Sequence, residues 1–232
     1  MRQKIALGVM GTMALISAAC SNNQDAFHGL TAEDAAKLQA QHNADPGPNG
    51  TVNANTRFAA GQLAEAEGKP ELAIYEYNEA IKLEPKQLGS LYRLGVVQTQ
   101  IKKFPEAIDA WKKYIDATND SALGYNNLAF TYELSGDSLA AEEQYRLGIQ
   151  REPKNVPCRV DYGLLLARHG RINEAVVQWQ VILTPAEIHY NLGSVYELEG
   201  RKGEARAEYN QAIALDPKFH DAQQRVAALD NE

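Results

Sequence analysis

The sequence predicts an all-α protein built from five stacked helical hairpins and one closing helix. A motif that is clearest at residues 186–219 returns four times upstream, with offsets of 34, 34, 34 and 30 residues. Apolar residues within each copy follow helical spacing, and no alternating run indicates a strand. A fixed period of this size is typical of one supersecondary unit that is repeated and stacked.

Three positions carry the repeat. The first helix of each copy has a small residue at Gly61, Gly95, Ala129, Gly163 and Gly193. The second helix has an alanine at Ala73, Ala107, Ala141, Ala175 and Ala205. Four residues later comes an aromatic residue, at Tyr77, Trp111, Tyr145, Trp179 and Tyr209. The small residues let two helices approach closely, and the aromatic ring fills the volume beside them.

Turn and stop residues delimit the hairpins. A glycine suited to a helix C-terminus joins the two helices at Gly68, Gly136, Gly170 and Gly200, whereas the second copy has Lys102. Pro217 stops the last hairpin because proline lacks an amide donor and disfavours a helical residue before it. In the second copy Asn119 replaces the closing proline.

This pattern resembles the tetratricopeptide repeat, a 34-residue helical hairpin with small and aromatic positions and a closing proline. The resemblance implies a right-handed α-solenoid of five repeats, at residues 54–87, 88–121, 122–155, 156–185 and 186–219. The family's aromatic early in the first helix is replaced by Arg57, Leu91, Tyr125, Arg159 and His189. We expect these replacements to alter packing at the edges but not the fold.

The fourth repeat is four residues short, and the deletion falls after Trp179. It should remove about one helical turn from the second helix of that repeat. Thr184 as N-cap, Pro185 at the first position and Glu187 in a capping box then predict a clean start for the next helix. Drift in a connection and a functional change of superhelix curvature both remain open as reasons for the deletion.

Residues 220–232 are predicted to form a capping helix and tail. Ala222, Val226 and Leu229 share one helical face, while Asp221 and Arg225 lie elsewhere and are expected to point outward. Repeat arrays need such terminal caps to stay soluble.

The N-terminal sequence predicts a targeting segment. Arg2 and Lys4 precede a 12-residue apolar run at positions 5–16, which is too short to span a bilayer well. Residues 1–19 resemble a bacterial lipoprotein signal peptide, with Cys20 as the lipidated first residue. Ser17, where that family usually has leucine, departs from the pattern, and ordinary signal cleavage with release as a secreted or periplasmic protein is the alternative.

Residues 20–53 are predicted to be a tether that starts at the lipidated cysteine. A short helix is expected at residues 31–41 with Thr31 as N-cap, followed by turn formers at 45–50. If Cys20 is acylated, Cys158 has no disulfide partner, and we expect it to be a small apolar filler at the start of a helix.

Composition and motifs favour a binding protein over an enzyme. The formal net charge is −7 and no basic stripe is present, which argues against a nucleic-acid partner. The sequence has no zinc-binding histidine motif, no cysteine pair spaced for zinc and no phosphate-binding loop. We therefore predict no metal, no cofactor, no small-molecule substrate and no catalytic residues.

The remaining candidate site is a groove for a protein or peptide partner. The family resemblance implies that a stripe on each first helix lines a concave face, at Phe58, Gln62, Glu65, Tyr92, Val96, Asn126, Asn127, Phe130, Glu133, Leu164, Tyr190, Asn191 and Glu197. Aromatic side chains at Tyr92, Phe130 and Tyr190 are expected to anchor the partner. Glu65, Glu133 and Glu197 are expected to pair with its basic residues, and Asn127 and Asn191 match a family position that often bonds a peptide backbone. Val96 and Leu164 have inter-repeat core packing as their alternative role.

Together these features predict a lipid-anchored interaction scaffold facing the periplasm of a bacterial envelope. It resembles small repeat lipoproteins that assist assembly of pili, secretion pores and other outer-membrane machines. Ser21 after the cysteine, instead of aspartate, favours the outer membrane. The alternative function is a regulatory or accessory subunit of an envelope enzyme.

Overall fold

The computed structural model describes residues 52–230, and every regular element in that range is an α-helix. The eleven helices there are α1 (Ala54–Ala66), α2 (Pro70–Leu83), α3 (Leu88–Gln100), α4 (Phe104–Ala117), α5 (Ala122–Ser135), α6 (Ser138–Arg151), α7 (Val156–Arg168), α8 (Ile172–Trp179), α9 (Pro185–Leu198), α10 (Lys202–Leu215) and α11 (His220–Asp230). The predicted all-α fold is confirmed. The predicted signal peptide, Cys20 and the tether helix lie outside the described residues.

Within the described range the chain forms two compact units. The N-terminal unit comprises residues 52–158 and contains α1 to α6, and the C-terminal unit comprises residues 159–230 and contains α8 to α11. The boundary falls inside α7.

In four of the five repeats the ring of the recurring second-helix aromatic lies directly on a glycine of the first helix. An added Cβ atom would come within 2.5 Å of the Trp111 ring at Gly95, and within 2.7 Å of the Tyr209 ring at Gly193. The second-helix alanines, such as Ala107 and Ala205, have no exposed surface. The predicted close approach of the two helices is therefore confirmed.

The turn between the two helices of a hairpin requires a left-handed residue. Gly68, Gly136, Gly170 and Gly200 have φ angles between 70° and 91°. Lys102 takes the same conformation with φ of 62°, although a side chain there costs about 1–2 kcal/mol. The second repeat therefore retains the left-handed turn although Lys102 replaces the glycine.

The end of the second helix depends on the residue that follows it. Glu84 and Asp216, each before a proline, have the extended backbone that proline imposes on its predecessor. After α4 there is no proline, and Asn119 and Asp120 turn the chain with φ of 54° and 70°. Asn and Asp tolerate this region better than most residues, which explains how the second repeat closes.

The short fourth repeat loses more helix than its missing residues. Helix α8 has 8 residues, whereas the second helices of the other repeats have 14. The predicted restart is confirmed, because Thr184 and Glu187 form a reciprocal capping box with Pro185 in the first turn of α9. The expected loss of about one turn is therefore an underestimate.

Polar side chains replace the missing first-helix aromatics by bonding to the second helix of the same repeat. Arg57 pairs with Glu76 at 2.8 Å, Arg159 donates to Gln178 at 2.7 Å, and His189 contacts Glu208 at 2.7 Å. Each pair is separated by 19 residues. These bridges explain why the departures leave the fold intact.

Two smaller predictions concern the helix ends. Cys158 is fully buried, and its thiol donates to the carbonyl oxygen of Ala122 at 3.4 Å, as expected for a filler. In α11, Ala222 and Leu229 pack against Tyr190 and Tyr209 as predicted. Arg225 does not point outward as expected, because its guanidinium binds Glu197 of α9.

We predict that Gly95→Ala lowers the free energy of unfolding by about 1–3 kcal/mol, because its methyl group would overlap the Trp111 ring. Chemical denaturation of the purified variant measures this. Gly203→Ala is the matched control, since an added Cβ there meets no atom within 4 Å and should stabilise α10 by about 0.5–1 kcal/mol. Equal effects of the two substitutions would show that the ring does not press on Gly95.

Candidate protein-binding surface

Most of the predicted groove residues are in the core. In the N-terminal unit Gln62 is exposed and Phe130 is half-buried, and the other apolar and amide positions are buried at Phe58, Tyr92, Val96, Asn126 and Asn127. In the C-terminal unit Leu164, Tyr190 and Asn191 are buried. Val96 and Leu164 therefore have the core role that was their alternative.

The expectation that Tyr92 and Tyr190 present aromatic surface to a partner is wrong. Tyr92 is 1% exposed, and its ring meets Trp111 edge-on with centroids 5.4 Å apart. Tyr190 is 5% exposed and lies between Tyr209 at 5.5 Å and Phe219 at 5.0 Å. The first-helix aromatic turns toward the second-helix aromatic because packing of the two rings against each other removes apolar surface from water.

The predicted glutamates are bound within the chain. The hydroxyl of Tyr145 donates to Glu133 at 2.5 Å, and that of Tyr209 donates to Glu197 at 2.7 Å. Tyr77 donates to Glu65 in the same way. The donor follows its acceptor by 12 residues in all three repeats. Their expected role as partners for basic residues of a ligand is therefore replaced by a structural one.

An arginine from the next helical layer completes two of these contacts. Arg93 Nε lies 3.0 Å from Glu65, and Arg225 Nε lies 3.0 Å from Glu197. Each arginine follows its glutamate by 28 residues. The side chains of Glu65 and Glu197 are only 14% and 19% exposed, so these pairs are shielded from solvent more than surface ion pairs are.

The two tryptophan repeats have no glutamate at the corresponding place. Trp111 donates its indole N–H to Thr99 at 3.3 Å, and Thr99 also contacts Thr131 at 3.0 Å. Trp179 donates instead to the carbonyl oxygen of Val160 at 3.1 Å, and the position that corresponds to the glutamates holds the buried Ala167. In these repeats the tryptophan N–H donates to a neutral oxygen, whereas in the other three the tyrosine hydroxyl donates to a carboxylate.

The sequence contains a signal for the tyrosine–glutamate hydrogen bond. Glutamate occurs in the same three repeats as tyrosine, and never with tryptophan. Considered alone, the alternation of glutamate indicates a groove pattern. Taken together, the glutamate and tyrosine positions predict a side-chain hydrogen bond within each tyrosine repeat.

Two buried amide groups near the predicted groove lack hydrogen-bond partners. Asn127 is 3% exposed and its Nδ2 atom has no partner within the described residues, and the same holds for Oε1 of Gln98 at 6% exposure. Asn127 is on α5, and Phe130 follows it on that helix. Leaving a buried amide unsatisfied costs about 1–3 kcal/mol, so such groups are candidates for binding a ligand.

Two further features concern metal binding and membrane spanning in residues 52–230. No group of three or more His, Cys, Asp or Glu side chains in that range is arranged to hold a metal ion. Among the described helices, none has the length and apolar composition needed to cross a membrane.

We predict that the tyrosine–glutamate contacts make the protein sensitive to alkali. Burial raises the pKa of the Tyr77 hydroxyl, and the hydrogen bond to Glu65 raises it further above the ordinary value of about 10. Because the folded-state pKa is the higher one, this stabilisation is complete below pH of about 10 and is lost as the pH rises above it.

Tyr77→Phe should therefore lower the free energy of unfolding by about 1–2 kcal/mol at neutral pH and reduce its decline above pH of about 10. Denaturant unfolding at a series of pH values tests both effects. Tyr75→Phe, on the same helix but 52% exposed, is the control and should change neither. An unchanged alkaline slope in the Tyr77 variant would contradict the assignment.

Comparison with known proteins agrees with the repeat architecture. Tetratricopeptide repeat family models match residues 58–122, 122–155 and 186–219, which together exceed half of the chain. BBSome complex member BBS4 from Bos taurus is 30% identical over 146 residues, which is 61% of this chain and 28% of that protein. The chain thus spans little more than a quarter of this curated relative.

Solved structures share the fold. TTC0263 of Thermus thermophilus, described as a thermophilic TPR protein, is 22% identical with a TM-score of 0.55, over 77% of this chain and 100% of that one. YrrB, described as a TPR protein with an unusual peptide-binding site, is 20% identical with a TM-score of 0.51, over 74% and 91% of the two chains. At these identities the likeness concerns the fold alone.

Proposed function

Because the chain belongs to the tetratricopeptide repeat family, we propose that this interaction scaffold binds a peptide segment of an envelope machine while Cys20 anchors it to a bacterial membrane. Tetratricopeptide repeats indicate a protein–protein interaction scaffold, and proteins of this fold are generally non-catalytic. Binding of a peptide, anchoring to a membrane and location in the envelope go beyond family membership and are proposed.

The observation that carries the peptide site is the unsatisfied amide of Asn127. Its Nδ2 atom is buried without a hydrogen-bond partner in the N-terminal unit. A peptide carbonyl oxygen would accept from this group after a small rotation of the side chain, which would remove the cost of leaving it unpaired. The family resemblance gives the same role to this position, and YrrB shows that a protein of this fold has a peptide-binding site.

Phe130 supplies the apolar part of the proposed site. It is the one predicted aromatic anchor that keeps exposed surface, since Tyr92 and Tyr190 are in the core. Phe130 follows Asn127 by three residues on α5, so both lie on neighbouring turns of one helix face. An apolar side chain of the peptide beside Phe130 and a backbone carbonyl at Asn127 is the arrangement we propose. Glu65 and Glu197 are bound to arginines and are not assigned to the ligand.

The anchor rests on the sequence at the N-terminus. The small residues Ala18 and Ala19 precede Cys20 after an apolar run, as in lipoprotein signals. Stable attachment by acylation needs more than one chain, which a mature lipoprotein has. Ser21 favours the outer membrane in this proposal.

Photocrosslinking in intact cells tests the peptide site. A photoreactive amino acid at Phe130 should capture a partner, whereas the same probe at Leu139, which is 84% exposed, should not. Adding Asn127→Ala should reduce the yield about fivefold or more, since one buried hydrogen bond contributes about 1 kcal/mol or more. Capture from both probe positions, or yields unaffected by Asn127→Ala, would contradict the site.

A stability measurement shows whether Asn127 serves binding or folding. Asn127→Ala should leave the free energy of unfolding unchanged or raise it, because its amide N–H has no partner to lose and its unsatisfied burial is unfavourable. Asn155→Ala is the matched control. The Asn155 carboxamide accepts from Cys158 N at 3.0 Å at the start of α7, so its loss should cost about 1 kcal/mol. A larger loss at Asn127 than at Asn155 would assign Asn127 to folding.

Cys20→Ser tests the anchor separately. We expect this variant to leave the membrane fraction or to remain unprocessed, as judged by fractionation and by the mass of the mature chain. Cys158→Ser, which changes a buried thiol, should keep the membrane distribution of the parent protein. A processed Cys20→Ser protein that still fractionates with membranes would show that lipid at this residue is not the anchor.

A further inference from the structure

The first hairpin leaves uncovered a surface that every later repeat buries. Leu63 on α1 is 61% exposed. The equivalent residues of the later repeats are Val97, Thr131, Leu165 and Val195, and none is more than 4% exposed. Exposed leucines are common singly, but a leucine at a place that is otherwise always core indicates a missing layer.

Contacts within the N-terminal unit show what normally covers this place. Thr131, equivalent to Leu63, contacts Thr99 on the preceding first helix at 3.0 Å. Arg93, equivalent to the exposed Ala59, reaches back to Glu65 in the same manner. The Ala59 and Leu63 face of α1 is therefore a repeat–repeat interface that lacks its preceding helix.

Tyr75, an exposed aromatic residue of the same hairpin, does not share this property. Tyr75 on α2 is 52% exposed, but its equivalents Asp109, Glu143, Val177 and Ala207 are exposed too. That position is a solvent-facing one throughout the array. The exposure of Tyr75 therefore does not mark an uncovered interface.

We propose that residues 31–41 of the same chain form the helix that covers this face of α1. The segment lies outside the described residues, and the sequence predicts it to be helical with Thr31 as N-cap. On a helical wheel, Glu33, Asp34, Lys37 and Gln41 occupy one arc of about 100°. The other side carries Gln39 and the apolar residues Ala32, Ala35, Ala36, Leu38 and Ala40. Such an alanine-rich face suits close packing against Ala59 and Leu63.

The connection is long enough for this arrangement. Residues 42–53 number 12 and can span up to about 40 Å. Helix α1, with 13 residues, is about 20 Å long, so the chain can return along its whole length. The turn formers at 45–50 favour such a reversal of direction.

A second copy of the chain is a poorer occupant. One face of α1 measures about 20 Å by 10 Å, or roughly 200 Å², whereas stable interfaces bury about 800 Å² from each partner. A covalently linked segment has an effective concentration near the mM range, so a small interface suffices. This inference does not depend on the proposed peptide site.

Disulfide trapping in the full chain tests the proposal. In a Cys20→Ser background, Leu38→Cys with Leu63→Cys should form a disulfide within one molecule, at a yield that does not change on dilution. Lys37→Cys with Leu63→Cys places the first thiol on the polar arc and should give a several-fold lower yield. Cys158 is fully buried and does not compete. Disulfides between chains, or equal yields from the two pairs, would overturn the proposal.

Hydrogen exchange of α1 provides a second readout. Leu38→Asp should raise the exchange rates of α1 amides several-fold, because the covering helix would be displaced. Gln41→Asp adds the same charge on the polar arc and should leave those rates unchanged. Unchanged rates in the Leu38 variant would also overturn the proposal.

Discussion

The contact between a second-helix aromatic ring and a small first-helix residue is the constraint on which the rest of each repeat depends. The ring can lie flat only if the opposite residue has little or no side chain, as at Gly95 beneath Trp111. This approach sets the distance between the helices, and the buried alanines such as Ala107 maintain it. The position of the ring fixes the position of the tyrosine O–H or tryptophan N–H. A hydrogen-bond acceptor is therefore required at that place.

The acceptor requirement explains the polar chemistry of the predicted groove. Where the ring is tyrosine, its hydroxyl ends beside a carboxylate, and a partly buried carboxylate is stabilised by an arginine such as Arg93 or Arg225. Arg225 belongs to the closing helix, so the same contact that joins two layers in the N-terminal unit holds the cap in the C-terminal unit. Glu65 and Glu197, which the sequence pattern assigns to ligand binding, hold layers together instead, and the proposed peptide site is limited to Asn127 and Phe130.

The all-α fold and the helix restart at Thr184 could be predicted because they depend on local signals: period, helical spacing, prolines and caps. The left-handed turn at Lys102 and the close of α4 by Asn119 and Asp120 could not, since both departures use less favourable residues in a geometry set by their neighbours. The prediction that aromatic side chains line the groove was wrong for a different reason. Tyr92 occupies a family surface position, but it turns inward because Trp111 and Tyr114 offer a buried aromatic contact that no linear pattern reveals.

The third repeat offers a natural test of this account, since it pairs Ala129 with Tyr145 and both are fully buried. A tyrosine ring can thus accommodate a methyl group at the small position. The most direct measurement is a double-mutant cycle in chemical denaturation with Gly95→Ala and Trp111→Tyr, which recreates that pair in the second repeat. The account predicts that the double variant is more stable than the sum of the two single effects by about 1 kcal/mol. Additive effects would contradict the claim that ring and small residue constrain each other.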